Sequence, residues 1–392
     1  MKACVMCGGE GMRLRPLTCE RPKPMIPLLN KPSIIHLVEH LASQGIEEIV
    51  VTLGYKGTDI PAALGDGRAY GVHIEYVHDK KKLGTAGSVK NAEEHFQDKP
   101  FLVVGGDHVM DLNLREMYRL HMLGKAPVTI GLIPIEDPRD YGIVDIDVNN
   151  KIHRFREKPK LGEIFSNIAS TGIYVCDPMI LEIIPEDEKY DFAKNLFPRM
   201  MEENKRINGF LVRGKWTDIG NPTAYREAIR WMLTEMESTT ITGNFNVRDA
   251  RVIGPFEIQQ NVSMGENSAL VGPTVIGRDT SIGDGVLIGP YTTIGSGCVI
   301  EEGSRIFSAD IFNNVHIGKN VAVSGAIIDN ETYVGDDCIL ETDTVIGVRC
   351  RIEEGSTICS GARIWPELTI KKGETVRGKC VNKSYDTVTG SS

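Results

Sequence analysis

The sequence predicts an α/β protein in which a Rossmann-like, mostly parallel sheet with helices on both faces is followed by a left-handed parallel β-helix. Three observations predict this architecture. Short apolar segments alternate with helical segments in the first part of the chain, and aliphatic residues recur every six positions in the second part. Glycine supplies 20 of the last 150 residues but 21 of the first 242. Because the corners of a β-helix require small residues, this shift in composition also separates the two parts.

The first part alternates strand-like and helix-like segments. Residues 2–7 form a short apolar run that ends in glycines, and residues 46–53 and 101–104 are predicted as buried strands. Residues 33–43 have apolar side chains at helical spacing, with Ser33 as the N-cap. This order predicts a parallel sheet covered by helices, in which ligands bind beyond the C-terminal ends of the strands.

The second part contains an internal repeat of six residues. Its aliphatic positions are Val252, Ile258, Met264, Leu270, Ile276, Ile282, Ile288, Ile294, Ile300 and Ile306, and then Val334, Leu340, Ile346, Ile352, Ile358, Ile364, Ile370 and Val376. A period of six fits neither an α-helix nor a hairpin sheet. It predicts a parallel β-helix in which each aliphatic side chain points into the core of a coil. The break between Phe307 and Tyr333 leaves a loop or a change of phase as alternatives.

A polar segment over residues 237–244 is typical of a linker. We therefore expect one domain over residues 1–238 and a β-helix domain over residues 245–392. A β-helix has flat sides and an open end, so we also expect a homo-oligomer that forms through this domain.

Composition and charge exclude several classes of function. The net charge of −9 argues against a nucleic-acid backbone as the main partner. No apolar run reaches the roughly 18 uncharged residues that a membrane-spanning helix needs, so we expect no membrane partner. The nine cysteines and the absence of an export signal predict a reducing, cytoplasmic location. Cys4 and Cys7 are predicted as buried residues of the first strand, since no second cysteine pair completes a zinc site.

The first strand is followed by a glycine-rich loop with basic residues. Gly8, Gly9 and Gly11 let backbone N–H groups approach phosphate oxygens, and Arg13 adds positive charge. The loop is neither a Walker A motif nor a dinucleotide fingerprint, and by its glycines alone it could equally be a structural turn. Lys23 stands between two prolines, which stiffen its backbone and would hold its ammonium reproducibly against a phosphate.

Taken with the segments that follow, this loop resembles the opening signature of the sugar-1-phosphate nucleotidyltransferases. The matching segments are residues 8–18, 22–24, 83–87, 106–107, 141–144, 155–159 and 216–220. The resemblance spans most of residues 1–232, and a hexapeptide-repeat tail is also familiar in this family. It implies an enzyme that joins a nucleoside triphosphate to a sugar 1-phosphate and releases pyrophosphate, with Mg²⁺ as the cofactor.

The resemblance also implies catalytic roles for individual residues. Asp107 and Asp218 would bind Mg²⁺, while Arg13 and Lys23 would neutralise phosphate charge. No general base is required because the attacking sugar phosphate is already an anion, so His108 is interpreted as incidental.

The remaining positions implied by the resemblance are contacts to substrate. They are Gly8, Gly9, Gly11, Gly84, Thr85, Gly142, Glu157, Lys158 and Ser170. Gly84 and Thr85 would line the base and ribose site, and Lys158 would contact the sugar phosphate. Glu157 would contact the sugar hydroxyls, and Ser170 stands where several relatives carry asparagine.

The motifs look most like those of enzymes that pair GTP with mannose 1-phosphate to form GDP-mannose. Enzymes that pair UTP or dTTP with glucose 1-phosphate share nearly every motif and form the first alternative. A second alternative is a non-catalytic regulatory relative, because Met12 replaces the threonine or serine that is usual in the family. A third is an additional acyltransferase activity of the β-helix, for which His316 is the one candidate base.

Overall fold

The computed structural model describes residues 1–54 and 57–386 of the chain. Their contacts divide it into two compact units. The first, here called the α/β unit, comprises Met1–Glu10, Pro22–Met25 and Ser33–Ile219. The second, the β-helix unit, comprises Gly11–Arg21, Ile26–Pro32 and Gly220–Ser392, of which residues 387–392 lie outside the described part. The expected division into one domain over residues 1–238 and a β-helix domain over residues 245–392 stays a prediction.

Strands and helices alternate through the first 234 residues. The strands are β1 (Lys2–Cys7), β2 (Pro27–Leu28), β3 (Lys31–Pro32), β4 (Glu48–Leu53), β5 (His73–His78), β6 (Phe101–Gly105), β7 (His108–Met110), β8 (Val128–Pro134), β9 (Gly142–Ile146), β10 (Ile152–Glu157), β11 (Ile168–Cys176), β12 (Ile207–Leu211) and β13 (Trp216–Asp218). The α-helices are α1 (Ser33–Ser43), α2 (Asp59–Leu64), α3 (Gly84–Asn91), α4 (Leu114–Leu123), α5 (Phe197–Glu202) and α6 (Pro222–Thr234), with α7 (Lys383–Asp386) near the C-terminus.

One mixed sheet forms the centre of the α/β unit, in the order β10-β9-β11-β6-β1-β4-β5, with β8 and β12 attached through β11. Strands β6, β1, β4 and β5 are parallel, whereas β11 runs antiparallel to β6. Strand β1 is buried on both faces: Ala3 and Val5 pack in one apolar core and Cys4 packs in the other. This double burial requires helices on both faces, as predicted.

The predicted burial of the first two cysteines is confirmed. Cys4 is fully buried and Cys7 is 2% exposed. Burial raises the pKa of both thiols well above their usual range, which leaves them unreactive.

Strand register brings the ends of the four parallel strands to one edge of the sheet. Cys7 pairs with Leu53, which pairs in turn with His78, and Met6 pairs with Gly105. The residues that follow these strands therefore emerge side by side. This edge positions the candidate site described below.

The β-helix unit consists of three parallel sheets, consistent with the predicted left-handed β-helix. The first sheet contains β14 (Thr240–Ile241), β17 (Phe256–Ile258), β20 (Thr274–Ile276), β23 (Thr292–Ile294), β26 (Asp310–Ile311), β29 (Ile327–Ile328), β32 (Val345–Ile346), β35 (Arg363–Ile364) and β38 (Lys379–Cys380). The second contains β15 (Phe245–Val247), β18 (Val262–Met264), β21 (Ser281–Ile282), β24 (Val299–Ile300), β27 (His316–Ile317), β30 (Tyr333–Val334), β33 (Arg351–Ile352) and β36 (Thr369–Ile370). The third contains β16 (Arg251–Ile253), β19 (Ala269–Val271), β22 (Leu287–Ile288), β25 (Arg305–Phe307), β28 (Ala322–Ser324), β31 (Ile339–Leu340), β34 (Thr357–Ile358) and β37 (Thr375–Val376).

The break in the six-residue repeat is a change of phase and not a loop. The strands continue through it, and the inward aliphatic positions become Ile311, Ile317, Val323 and Ile328. Two sides of the coils are one residue shorter there, so the repeat resumes at Val334 in a new phase.

The first sheet of the β-helix is covered by other parts of its own unit. Outward-facing Asp310 and Ile327 on this sheet are 2% and 0% exposed, whereas outward-facing Ile339 on the third sheet is 47% exposed. The covering elements are α6, whose Tyr225 packs edge-on against Phe312, and the segment 26–32. Over the described residues, no helix combines the length and apolar composition that crossing a membrane requires.

Burial of the Asp310 carboxyl under this cover predicts a pH-dependent stability. Desolvation raises its pKa to about 7, even though the Thr293 hydroxyl donates to it at 2.9 Å. Since the folded state holds the proton more tightly than the unfolded state, stability falls as the pH rises from about 4 to about 7. Asp310→Asn keeps the acceptor for Thr293 without the charge, so its melting temperature should exceed that of the wild type at pH 8.

Thermal unfolding followed by circular dichroism between pH 5 and pH 8 measures this difference. The gap between the variant and the wild type should narrow toward pH 5. The exposed Asp279→Asn serves as the control and should follow the wild type at every pH. A difference in melting temperature that stays constant between pH 5 and pH 8 would contradict the raised pKa of Asp310.

Candidate functional site

The glycine loop begins at the C-terminal end of β1, beside an aspartate that no sequence motif indicated. A Cβ added to Gly8 would lie 3.9 Å from Oδ2 of Asp79 and 4.0 Å from Oγ of Ser88, while one added to Gly9 would meet no atom within 4 Å. Asp79 follows β5 and accepts hydrogen bonds from Ser88 and from Nδ2 of Asn91, the latter at 3.0 Å. Burial raises the pKa of its carboxyl, against the effect of these two donors. Sequence analysis missed Asp79 because three lysines follow it, and such a charged segment is typical of a solvent-exposed turn.

Gly84 and Thr85 begin α3, and Thr85 is fixed by a second aspartate that the sequence did not reveal. Gly84 has a φ of 73°, and a Cβ there would lie 2.8 Å from the carbonyl oxygen of Tyr190. The Thr85 amide and hydroxyl donate to Oδ1 of Asp191 at 3.1 and 3.3 Å. Only glycine therefore fits at position 84 without strain.

Gly142 and Glu157 are direct partners on the antiparallel strands β9 and β10. A Cβ on Gly142 would lie 2.9 Å from Oε2 of Glu157, so this glycine makes room for the carboxylate. Burial raises the pKa of Glu157, a shift that Lys158 and Lys194 oppose and Asp191 reinforces. The structure thus brings the predicted sugar contacts close to the Asp191 that holds Thr85.

Lys158 and Ser170 are held by backbone hydrogen bonds near this group. Lys158 has a φ of 45°, which is uncommon for a residue with a side chain, and its N–H donates to the carbonyl oxygen of Tyr141 at 2.9 Å. Ser170 is 8% exposed on β11, and its Oγ accepts from the Gly172 amide at 3.3 Å.

A two-stranded ribbon brings the two predicted metal ligands together. On β7 and β13, His108 pairs with Asp218, and the Ile219 amide donates to the carbonyl oxygen of Asp107 at 3.1 Å. The two aspartates are more than a hundred residues apart in sequence. Their proximity is therefore a result of the tertiary fold.

Lys23 forms an ion pair with Asp107 beside this ribbon. Burial alone would raise the pKa of the Asp107 carboxyl, but the adjacent Lys23 ammonium, which also donates a hydrogen bond to it, holds this pKa well below its usual range. Burial lowers the pKa of His108 although Asp107 and Asp218 oppose that shift, so the imidazole is neutral at pH 7. The buried His108 thus contributes a ring and not a charge, and its Nε2 lies 4.0 Å from Oδ1 of Asp107.

Trp216 connects the ribbon to the strand that carries the sugar contacts. Its ring packs edge-on against His108, with the centroids 5.4 Å apart, and against Tyr141 at 5.9 Å. Tyr141 immediately precedes Gly142. The predicted metal ligands and the predicted sugar contacts are therefore joined by one aromatic contact chain.

The remaining loop residues belong to the β-helix unit. Gly11 has a φ of 64°, and its carbonyl oxygen accepts from Oγ1 of Thr18 at 2.8 Å. Met12, which replaces the usual threonine or serine, is 58% exposed. The carbonyl oxygen of Arg13 accepts from Nη1 of Arg363 at 3.1 Å.

The chemistry of the ribbon fits a divalent cation of the hard type. Asp107 and Asp218 provide only carboxylate oxygens, which Mg²⁺ prefers, and Mg²⁺ is commonly bound by one or two carboxylates together with substrate phosphates and water. In the structure, the ammonium of Lys23 neutralises one of these carboxylates.

Residues 2–235 match the family model described as nucleotidyl transferase. The chain belongs to the nucleotidyl transferase family. A second family model, described as GMPPB C-terminal domain, matches residues 270–380. The predicted membership of the sugar-1-phosphate nucleotidyltransferases is thereby confirmed.

Known nucleotidyl transferases resemble most of the chain. A UTP--glucose-1-phosphate uridylyltransferase from Synechocystis is 34% identical over 86% of this chain and 88% of the relative. A mannose-1-phosphate guanylyltransferase from Mycobacterium tuberculosis is 30% identical over 76% of this chain and 82% of the relative. The crystal structure of HddC from Yersinia pseudotuberculosis complexed with GMP-PN is 25% identical, with a TM-score of 0.52, over 59% of this chain and 99% of HddC.

Asp107→Asn and Asp218→Asn should each lower turnover by a hundredfold or more, about 3 kcal/mol in the activation barrier. Asparagine keeps the shape and one oxygen of each side chain but removes a charge that a divalent cation requires. The rate of pyrophosphate release from a nucleoside triphosphate and a sugar 1-phosphate measures this effect. The double variant should fall only slightly below the weaker single variant, because both carboxylates act through one ion.

Excess EDTA should abolish the wild-type activity, and added Mg²⁺ should restore it. Asp98→Asn, at an exposed position, is the matched control and should retain full turnover. Near-normal pyrophosphate release by either Asp107→Asn or Asp218→Asn, or full activity in EDTA, would show that the two carboxylates do not hold the metal.

Proposed function

We propose that this nucleotidyl transferase transfers the guanylyl group of GTP to mannose 1-phosphate, forming GDP-mannose and releasing pyrophosphate. The observation that carries the choice of GTP is Asp79. Its carboxylate lies beside Gly8, at the sheet edge where ligands of parallel sheets bind, and two donors of α3 fix its orientation.

A carboxylate at this place favours guanine on chemical grounds. Guanine presents two adjacent donors, its N1–H and its exocyclic amino group, and an ionised carboxylate offers only acceptors. Uracil and thymine present a single N–H between two carbonyl oxygens, which a carboxylate repels. Each oxygen of Asp79 has a second lone pair beyond the one used by Ser88 or Asn91, so it can accept from a base as well.

Similarity to known proteins supports both GTP and UTP as the nucleotide. The relative from Mycobacterium tuberculosis is named as a mannose-1-phosphate guanylyltransferase, and HddC was crystallised with GMP-PN. The Synechocystis relative, which is more similar in sequence, is named for UTP and glucose 1-phosphate. A uridylyl or thymidylyl transfer to glucose 1-phosphate is therefore the competing hypothesis to be tested.

The reaction requires positioning and charge neutralisation more than covalent help. An oxygen of the sugar phosphate attacks the α-phosphorus in line, and pyrophosphate leaves. We assign Arg13 and Lys23 to the triphosphate and Lys158 to the sugar phosphate. Asp107 and Asp218 would hold Mg²⁺, which supplies positive charge to phosphate oxygens when bound.

The nucleophile and the sugar need no deprotonation by the protein. The sugar phosphate is ionised at neutral pH, and the neutral His108 is not required as a base. Glu157 accepts hydrogen bonds from sugar hydroxyls, and its small partner Gly142 leaves space for the Glu157 carboxylate and the Phe155 ring. Gly84 and Thr85 line the base and ribose, and the hydrogen bonds from Thr85 to Asp191 keep this turn in place.

A regulatory role without catalysis and an acyltransferase activity have less support. A non-catalytic relative would not need the Lys23–Asp107 pair or the ribbon that brings Asp218 to it. For an acyltransferase, the candidate base His316 has its Nε2 2.7 Å from Oε1 of Glu301, and its ring stacks on Tyr333. A histidine with a structural role on the β-helix surface makes the same contacts, so they do not by themselves support acyl transfer.

A homo-oligomer that forms through the β-helix also belongs to this proposal. Phe307 and Ile339 are exposed apolar residues on neighbouring parts of the third sheet. At micromolar concentration, sedimentation velocity should give a mass above the 43.2 kDa of one chain. Phe307→Asp combined with Ile339→Asp should lower it, whereas Val299→Asp on the second sheet should not. A monomeric wild type would contradict this part of the proposal.

Five nucleoside triphosphates assayed against several sugar 1-phosphates test the substrate choice. GTP with mannose 1-phosphate should release pyrophosphate fastest. Asp79→Asn should lower kcat/KM for GTP by about tenfold or more, the effect of a lost charge-assisted hydrogen bond. Because an amide both donates and accepts, the same variant should narrow the preference for GTP over UTP. Asp98→Asn, at an exposed position, is the control.

Two results would overturn the proposal in different ways. A wild type that prefers UTP or dTTP with glucose 1-phosphate would establish the competing hypothesis. An unchanged GTP-to-UTP ratio in Asp79→Asn would show that this carboxylate does not read the base.

A further inference from the structure

Part of the glycine-rich phosphate loop is fixed by side chains of the β-helix. This part, residues 11–21, is here called the signature loop, and it lies in the β-helix unit. Arg363 on β35 donates from Nη1 to the carbonyl oxygens of Arg13 and Arg15, at 3.1 and 3.2 Å. One guanidinium thus holds two peptide groups of the loop.

Arg363 occupies an outward-facing position on the covered first sheet. It pairs with Val345 on the preceding coil. Val345 in turn pairs with Ile327, and Ile327 pairs with Asp310. These outward positions are buried, so the signature loop and its neighbours replace solvent on this side of the β-helix. Arg363 is therefore directed at the loop by the strand register.

Two ion pairs anchor the far end of the same loop. Nη2 of Arg21 lies 2.7 Å from Oδ1 of Asp329, and the two side chains are 14% and 1% exposed. Nη2 of Arg349 lies 2.5 Å from Oε1 of Glu20. The end of the loop that leads to Lys23 is thus fixed to the β-helix independently of Arg363.

The anchoring affects phosphate binding because it decides whether the carbonyl oxygens or the N–H groups of the loop face the substrate. A carbonyl oxygen that faced a triphosphate would repel it, whereas an N–H would bind it. The carbonyl oxygens of Gly11, Arg13 and Arg15 accept from Thr18 or Arg363. With these acceptors held inside the β-helix unit, the loop backbone cannot turn them toward the substrate.

We infer that Arg363 is a positioning residue through which the β-helix orients the phosphate loop of the transferase. It acts through the Arg13 and Arg15 carbonyl groups and has no part in the choice of base or sugar. The kinetic test of this inference rests on the proposed nucleotidyl transfer, because it measures substrate turnover. The structural part of the inference, that Arg363 keeps the signature loop ordered, can be measured without turnover.

The test compares Arg363→Ala, Arg363→Lys and the control Arg278→Ala, which removes an exposed arginine of the β-helix. Lysine keeps the positive charge, but its shorter side chain lacks the fixed planar geometry that directs the two N–H groups of Nη1 at the two carbonyl oxygens. Arg363→Ala should raise KM for the nucleoside triphosphate by about tenfold, as for loss of charge-assisted hydrogen bonds, with a smaller change in kcat. Arg363→Lys should fall between it and the wild type, and Arg278→Ala should match the wild type.

Hydrogen exchange of the full-length protein without substrate provides the second readout. Amides of residues 11–21 should exchange faster in Arg363→Ala, while those of the β-helix strands exchange as in the wild type. Unchanged loop exchange, or loss of protection over the whole β-helix, would overturn the positioning role. If no nucleotide and sugar pair is turned over but the loop exchange changes as expected, the proposed function fails and the anchoring stands. If Arg363→Ala does not fold, Arg363→Lys carries both measurements.

Discussion

Parallel pairing of β1 with β4 and β6 is the constraint on which the site depends. Parallel strands end at a common edge, so the residues after β1, β5 and β6 meet although they are distant in sequence. The chain exposes its glycine loop, Asp79 and Asp107 there. The antiparallel strands beyond β6 add Gly142 and Glu157, and the ribbon of β7 and β13 adds Asp218.

Acidic side chains dominate the site, and three of them are kept in place by a specific partner. Asp79 is bound by neutral donors of α3, Asp107 by the ammonium of Lys23, and Asp191 by Thr85. Carboxylates brought together without such partners would repel one another and take up protons. The pKa of Asp107 is lowered by a neighbouring positive charge, whereas the pKa of Glu157 is raised by burial, so the site contains both a charge-stabilising and a desolvating environment. A cationic metal and an anionic substrate can thus be accommodated side by side.

The β-helix combines a regular interior with a specialised surface. Its inward aliphatic residues repeat with little variation, because each coil stacks on the next through the same core. Its three outer faces differ: the first buries Asp310 and Asp329 under α6 and the signature loop, whereas the third exposes Ile339. Arg21 forms an ion pair with Asp329, whereas Asp310 accepts from the neutral Thr293 hydroxyl and is opposed only by the more distant charge of Arg226. The covered face makes the β-helix part of the environment of the signature loop.

The sequence by itself determined the two architectures and the family, because six-residue periodicity and ordered glycine and proline motifs are local patterns. Through resemblance it also predicted that Gly142 and Glu157 both contact the sugar and that Asp107 and Asp218 bind the same Mg²⁺. Tertiary structure alone shows the contacts of Asp79, Asp191 and Arg363, since each contacts a partner from another element and none lies in a distinctive motif. It also decided that the break after Phe307 is a change of phase. Two sides of the coils are one residue shorter there, yet the three sheets continue without interruption. The sequence pattern could not show this, because the sheets are held together by pairing between strands of successive coils, which lie far apart along the chain.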